Sequence, residues 1–264
     1  MTELVFSQES IWSLAAMAVF GILLPVAAVL VWRLALHKGN MRSVFIGAGM
    51  FFLFAIILER LLHMAVMPLV SGNIVLTALY GSLAAGVFEE TARFLSFRFL
   101  MRNDRSAESA VSYGLGHGGF EAIYLLGLTA VSALMMAASV SSMGVTEFLN
   151  SASGGSEAVT EQLRAQLVGF AQVNVANAAL SIFERIVAMT LHVSLSVLVM
   201  EAVMVKGRMW LYPAAIVIHA LMDVPAVLYQ CGAIPLPVCE VILTAFTAVW
   251  AVVAFRRYKF LKKQ

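Results

Sequence analysis

Apolar residues fill most of the chain in runs of about 18–25, broken by short polar or charged stretches. At roughly 1.5 Å per residue, each run is long enough to cross a hydrocarbon core of about 30 Å. The pattern predicts seven transmembrane helices at about 11–32, 43–66, 73–100, 109–140, 173–205, 209–229 and 238–255. Short segments of alternating polarity, the signature of a membrane β-barrel, are missing. One polar, Gly/Ser-rich stretch, 141–156, predicts an external loop. It leads into 157–172, where Glu157, Glu161 and Arg164 share a face and predict an interfacial helix or helix extension. The expected fold class is therefore an all-α, polytopic transmembrane helix bundle, a single integral membrane domain over residues 1–264.

Composition agrees. The 264 residues are 61% hydrophobic and 12% charged, against about 45–50% and about 25% for a globular domain, which excludes a water-soluble or disordered protein. The net charge of +2 says less than its distribution. Arg33, Lys38 and Arg42 follow span one, Arg98, Arg102 and Arg105 span three, Lys206 and Arg208 span five, and Arg256, Arg257, Lys259, Lys262 and Lys263 span seven. All four groups fall on one side, which the positive-inside rule makes cytoplasmic, so the N-terminus is expected outside and the C-terminus inside. The opposite side carries Glu3, Glu9, Glu147, Glu157 and Glu161 with Arg164 as its one basic residue. Trp32-Arg33 follows the first span at once, without a small-residue cleavage site, and predicts a retained anchor. The chain is expected in the cell membrane as a multi-pass protein, with the lipid bilayer as partner and no nucleic acid. Cys231 and Cys239 bound a short external loop, where either a disulfide or two free thiols fits.

An ionisable side chain at mid-bilayer costs at least about 2.5–3.5 kcal/mol, so each one inside a span is a functional candidate. These are Glu59, Arg60 and His63 in span two, Glu89, Glu90 and Arg93 in span three, His117 and Glu121 in span four, Glu184, Arg185 and His192 in span five, and His219 and Asp223 in span six. Counted from the basic ends, Glu89, Glu90, His117, Glu121, His192, His219 and Asp223 lie roughly 12–21 Å deep. Four helices thus place acids and imidazoles in one layer. Glu89 and Arg93, His117 and Glu121, and His219 and Asp223 are each four residues apart and share a face. Four polar stripes at one depth must face one another or a shared wet cavity, because lipid offers no hydrogen bonds. Gly114, Gly116, Gly118 and Gly119 around His117 allow close helix packing there.

His117, His192 and His219 with carboxylates such as Glu121 are the ligand types of a catalytic zinc site. Zinc would lower the pKa of bound water to about 7, and a neighbouring carboxylate would act as general base in peptide hydrolysis. The same groups could also activate water without metal. Arg93 reads as a structural partner that neutralises and orients the Glu89–Glu90 pair.

The ordered set Glu89-Glu90-x-x-Arg93, Gly-His117-Gly-Gly-Phe-Glu121-Ala, Glu184-Arg185 with His192, and His219-x-x-x-Asp223 resembles the YhfC family of intramembrane metalloproteases, related to PrsW-type proteases and type II CAAX-prenyl endopeptidases. The resemblance implies a protease core at about 73–229. Glu89 would activate water, with His117; His219 and Asp223 would line the opposite wall as ligand or oxyanion support; His192 would complete the cluster. Arg93 stands where the PrsW pattern has Lys. The second motif carries both His and Glu where relatives often show one, which leaves open which of His117 and Glu121 faces the centre. The candidate catalytic residues are then Glu89, Glu90, His117, His219 and Asp223, the candidate zinc ligands His117, His192, His219 and Glu121, and the structural supports Arg93, Glu184 and Arg185.

Glu59, Arg60 and His63 lie nearer the outer face by the same count, and a local ion pair suffices to explain them. Glu184 and Arg185 also sit outward, as a pair holding span five. The leading function is an endopeptidase acting on membrane-embedded or membrane-adjacent peptides. A proton-coupled secondary transporter is the alternative in another class, weakened by the absence of an inverted repeat. A catalytically silent scaffold or immunity-type protein is the third.

Overall fold

A computed structural model describes residues 4–264; Glu3, counted above with the outer acidic residues, lies outside the described residues. Nine helices cover the described chain, with no strand: α1 Gln8–Ala35, α2 Met41–Val70, α3 Ile74–Leu95, α4 Ala107–Met143, α5 Val145–Ser153, α6 Glu157–Ala171, α7 Val175–Met204, α8 Leu211–Gln230 and α9 Leu236–Leu261. Six of these, α1, α2, α4, α7, α8 and α9, are long and apolar enough to cross a membrane. The remaining expected span is α3, which continues as a π-helical turn over Ser96–Leu100. It has the length, but Glu89, Glu90 and Arg93 leave it less apolar than the other six. The protein is an all-helical, multi-pass membrane protein.

Caps fix several helix starts. Asn40 accepts from the Ser43 amide ahead of α2, and Asn73 from the Val75 and Leu76 amides ahead of α3, satisfying amides that have no intrahelical partner. At the far end of α3 the orphan carbonyls are met by guanidinium groups. Arg105 donates to the carbonyls of Phe97 (2.8 Å) and Arg98 (2.7 Å), and Arg42 to that of Leu100 (3.2 Å). Basic residues expected as flanking charges therefore also cap.

The segment expected as an external loop, 141–156, contains the nine-residue α5. Gly144 (φ +86°) ends α4 and Gly154 (φ +58°) ends α5, and the buried Leu149 anchors α5 between them. Polarity and Gly/Ser content hid a helix that one apolar face holds in place. Cys231 and Cys239 are not joined in a disulfide, and Cys239 is buried.

The chain forms two compact units. One comprises residues up to Leu24 and Ala122–Arg185. Its core is Phe6, Leu14, Ala133, Ala137, Val140, Leu149 and Leu167, and Ser10 Oγ donates to the Ala171 carbonyl (2.8 Å). The other comprises Pro25–Glu121 and Ile186–Gln264. Its core joins Phe97, Tyr113, Leu195, Leu198, Met200 and Ile218, and α3 packs along α8.

Glycine sets how closely the helices of this second unit approach. A Cβ on Gly116 would fall 1.9 Å from the Val44 carbonyl oxygen on α2, and one on Gly114 2.6 Å from Val193 Cα on α7. One on Gly86 would fall 2.7 Å from the Ile216 carbonyl on α8. Backbone cannot yield as a flexible side chain can. Gly116→Ala is therefore expected to cost about 3 kcal/mol or more by overpacking and to lower the thermal unfolding midpoint of the purified protein. Gly49→Ala on α2, where nothing lies within 4 Å of the added carbon, should leave that midpoint unchanged.

Candidate active site

The close crossings bring five polar stripes together inside the second unit. Helix α3 contributes Glu89, Glu90 and Arg93, α4 His117 and Glu121, α7 His192 and Ser196, α8 His219 and Asp223, and α2 Glu59. Glu89, Glu90, Arg93, His117, His192 and His219 are all buried.

At the centre stands one carboxylate oxygen. Glu89 Oε2 lies 2.8 Å from His117 Nε2, 3.8 Å from His192 Nδ1 and 3.8 Å from His219 Nε2, so imidazoles from three helices surround it. Behind it, Glu90 Oε1 accepts from Arg93 Nη1 and from His219 Nδ1 (2.8 Å). Arg93 also donates from Nε to Ser196 Oγ (3.0 Å) and from Nη2 to His192 Nδ1 (3.1 Å). Ser196 Oγ in turn donates to the His192 carbonyl (2.7 Å).

A guanidinium only donates, which makes His192 Nδ1 an acceptor from Arg93. His219 stands between carboxylates, with Glu90 at Nδ1 and with Glu89 and Asp223 Oδ2 (3.4 Å) on the Nε2 side. His192 accepts at Nδ1, so its hydrogen sits on Nε2, against Glu121 Oε2 (2.5 Å). His117 donates from Nε2 to Glu89, which leaves Nδ1 buried without a hydrogen-bond partner. Rings stack around it, with Phe51 edge-on at 5.0 Å and His192 at 4.9 Å between centroids.

The donor chemistry suits a metal ion. One donor atom from each of Glu89, His192 and His219 lies within 4.8 Å of the others. Both imidazoles turn their second nitrogen to a carboxylate, Glu90 or Glu121, the arrangement that fixes the orientation of metal-bound histidine. Of the residues expected as ligands, His192 and His219 belong to this group of three. His117 reaches Glu89 through an N–H, and Glu121 lies behind His192. Glu184 and Arg185 pair with each other in the first unit.

This set of side chains lies within a matched family region: residues 20–244 match the YhfC intramembrane metalloprotease family. The chain belongs to that family. It is also 31% identical over 263 residues to the membrane protein YhfC of Bacillus subtilis (strain 168), covering 96% of this chain and 99% of that one. No solved structure matches. The YhfC family implies a metal ion, and the buried Glu89, His192 and His219 could bind one.

Two residues of this YhfC site were not among the sequence candidates, and a third was given a lesser role. Ser196 and Tyr113, which meets Phe97 edge-on and whose hydroxyl lies 3.4 Å from Ser96 Oγ, carry no charge and so no membrane cost that would flag them. Glu59 was assigned to a local pair. That pair exists, with His63 Nε2 3.2 Å from Glu59 Oε1. Glu59 is nevertheless buried and within electrostatic range of Glu89, Glu121, His219 and Asp223. The readable signal was the stripe at four-residue spacing, Gly47, Phe51, Ala55, Glu59 and His63, which begins at a close helix crossing and passes the ring that touches His117.

Proposed function

We propose that this protein is an intramembrane zinc endopeptidase that hydrolyses peptide bonds of membrane-embedded or membrane-adjacent substrates. The observation carrying this reading is the single buried oxygen, Glu89 Oε2, facing imidazole nitrogens of three helices. A helix bundle needing only stability has no reason to keep such a group, since apolar residues of similar volume are as stable or more so. With the basic loops on the cytoplasmic side, as the positive-inside rule predicts, this centre would lie in the cytoplasmic half of the bilayer.

Glu89, His192 and His219 would hold the metal, which when bound supplies water acidified to a pKa of about 7 and a Lewis acid for the scissile carbonyl. The chain's own groups do the rest. His117 fixes the Glu89 carboxylate through Nε2–H. Glu90 and Glu121 orient His219 and His192. Arg93 neutralises Glu90 and holds Ser196; its Nη2 contact with His192 Nδ1 would give way when that nitrogen holds the metal, since the nitrogen has one lone pair. Asp223, whose side chain at 29% exposure is the most accessible acid of the group, takes the proton of the attacking water at Oδ2 and passes it to the product amine.

Metal removal tests the reading. Purified protein should contain about one zinc per chain, and a strong chelator should abolish cleavage of a quenched-fluorescent peptide bearing one apolar helix of about 20 residues in lipid vesicles. Added zinc should restore it. Cleavage that persists at full rate after the metal is gone would overturn the zinc mechanism.

A further inference from the structure

The pocket has more acid than the mechanism above uses. Glu59 lies within electrostatic range of Glu89, Glu121 and Asp223, and the buried guanidinium nearby, Arg93, is committed to Glu90. Five carboxylates cannot all carry charge in a buried site with one fixed cation, even beside a divalent ion. Glu59 is placed differently from the rest. It ends a π-helical turn, Phe52–Glu59, within α2, a local widening that recurs at functional sites in helices. Its direct partner is an imidazole on the surface side, not a member of the Glu89 group.

That imidazole is one link of a chain. His63 Nε2 meets Glu59 Oε1 at 3.2 Å, and His63 Nδ1 meets the Tyr80 hydroxyl at 2.8 Å. The His63 side chain is 33% exposed and that of Glu59 is 8% exposed, so the chain runs from the accessible surface of the second unit inward. A neutral imidazole between two such partners has one donor and one acceptor, and exchanging its tautomer moves a proton from one end to the other.

We propose that Glu59 is a proton donor of the reaction centre, reloaded through His63 and Tyr80; this rests on the hydrolytic reading above. As water oxygen bonds to the carbonyl carbon, its proton goes to Asp223. Glu59 gives its proton to the amide nitrogen as the C–N bond breaks. Asp223 then protonates the released amine, the new carboxylic acid releases its proton to solvent, and Glu59 regains one through His63. Protons balance over the cycle, and the groups facing Glu59 are Arg60 and His63 on α2, Tyr80 and Glu89 on α3, Glu121 on α4, and His219 and Asp223 on α8.

The test uses the full chain in lipid vesicles with the single-helix quenched peptide. Glu59→Gln should lower kcat about 100-fold or more, with KM, zinc content and thermal midpoint unchanged. Glu59→Asp should recover part of that rate. His63→Phe should lower kcat about 10-fold, and added imidazole should restore it, a rescue that a packing role for His63 would not show. Wild-type kcat in Glu59→Gln, loss of zinc from it, or no imidazole rescue of His63→Phe would each overturn the proposal while leaving the protease reading intact. If Glu59→Gln does not fold, the imidazole rescue decides alone. A wild-type protein that cleaves no peptide overturns both.

Discussion

Glu89→Gln is expected to reduce cleavage by at least about 1000-fold and to lower the zinc content of the purified protein, while the thermal midpoint stays within a few degrees of wild type. The substitution keeps the shape of the side chain and removes two properties. The amide carries no charge to offset a divalent ion, and it is a much weaker metal ligand than a carboxylate. In one orientation its NH2 group also points donors at His117 Nε2–H, so a 2.8 Å hydrogen bond becomes a donor–donor contact. Folding should survive because the Arg93–Glu90–His219 group behind Glu89 keeps all its partners. Cleavage rate, metal stoichiometry and unfolding midpoint, measured on one preparation, separate a lost centre from a lost fold. A variant that keeps both zinc and activity would remove Glu89 from the centre.

The parts of this site legible in the sequence were those with a large membrane cost. Charged residues in an apolar span stand out against their surroundings, so Glu89, Glu90, Arg93, His117, His192, His219 and Asp223 were visible one by one. Counting depth from the basic loops then grouped them by layer. Which atom meets which was not visible. His117 and Glu121 sit on one face of α4, yet one meets Glu89 and the other pairs with His192, a division that depends on how closely α4 packs on α7 at Gly114 and Gly118. Spacing along one helix cannot report a crossing. Glu59 was read as a local pair because a depth count along one helix does not report which buried groups on neighbouring helices it faces. The amphipathic α5 was hidden because the chain is so apolar that a Gly/Ser-rich segment reads as a loop by contrast.

Arg93→Met should be the most damaging single change to stability in the second unit, at about 3–5 kcal/mol. Arg93 is fully buried and donates to Glu90, Ser196 and His192 at once. Removing it leaves Glu90 as an uncompensated buried acid, frees Ser196 Oγ from its donor and releases the tautomer of His192. The loss should come mainly from the stranded carboxylate and not from the vanished contacts. Glu90→Gln placed on top of Arg93→Met should then recover a large part of the midpoint, although Glu90→Gln alone destabilises by stranding the guanidinium. Thermal unfolding of the four proteins of this double-mutant cycle measures the coupling, expected to exceed about 2 kcal/mol for a contacting buried pair. Additive losses would mean that Arg93 and Glu90 are independently anchored. Activity should not return with the fold, because the double variant orients neither His219 nor His192, and that separation of recovered stability from unrecovered turnover is what a positioning role for the pair requires.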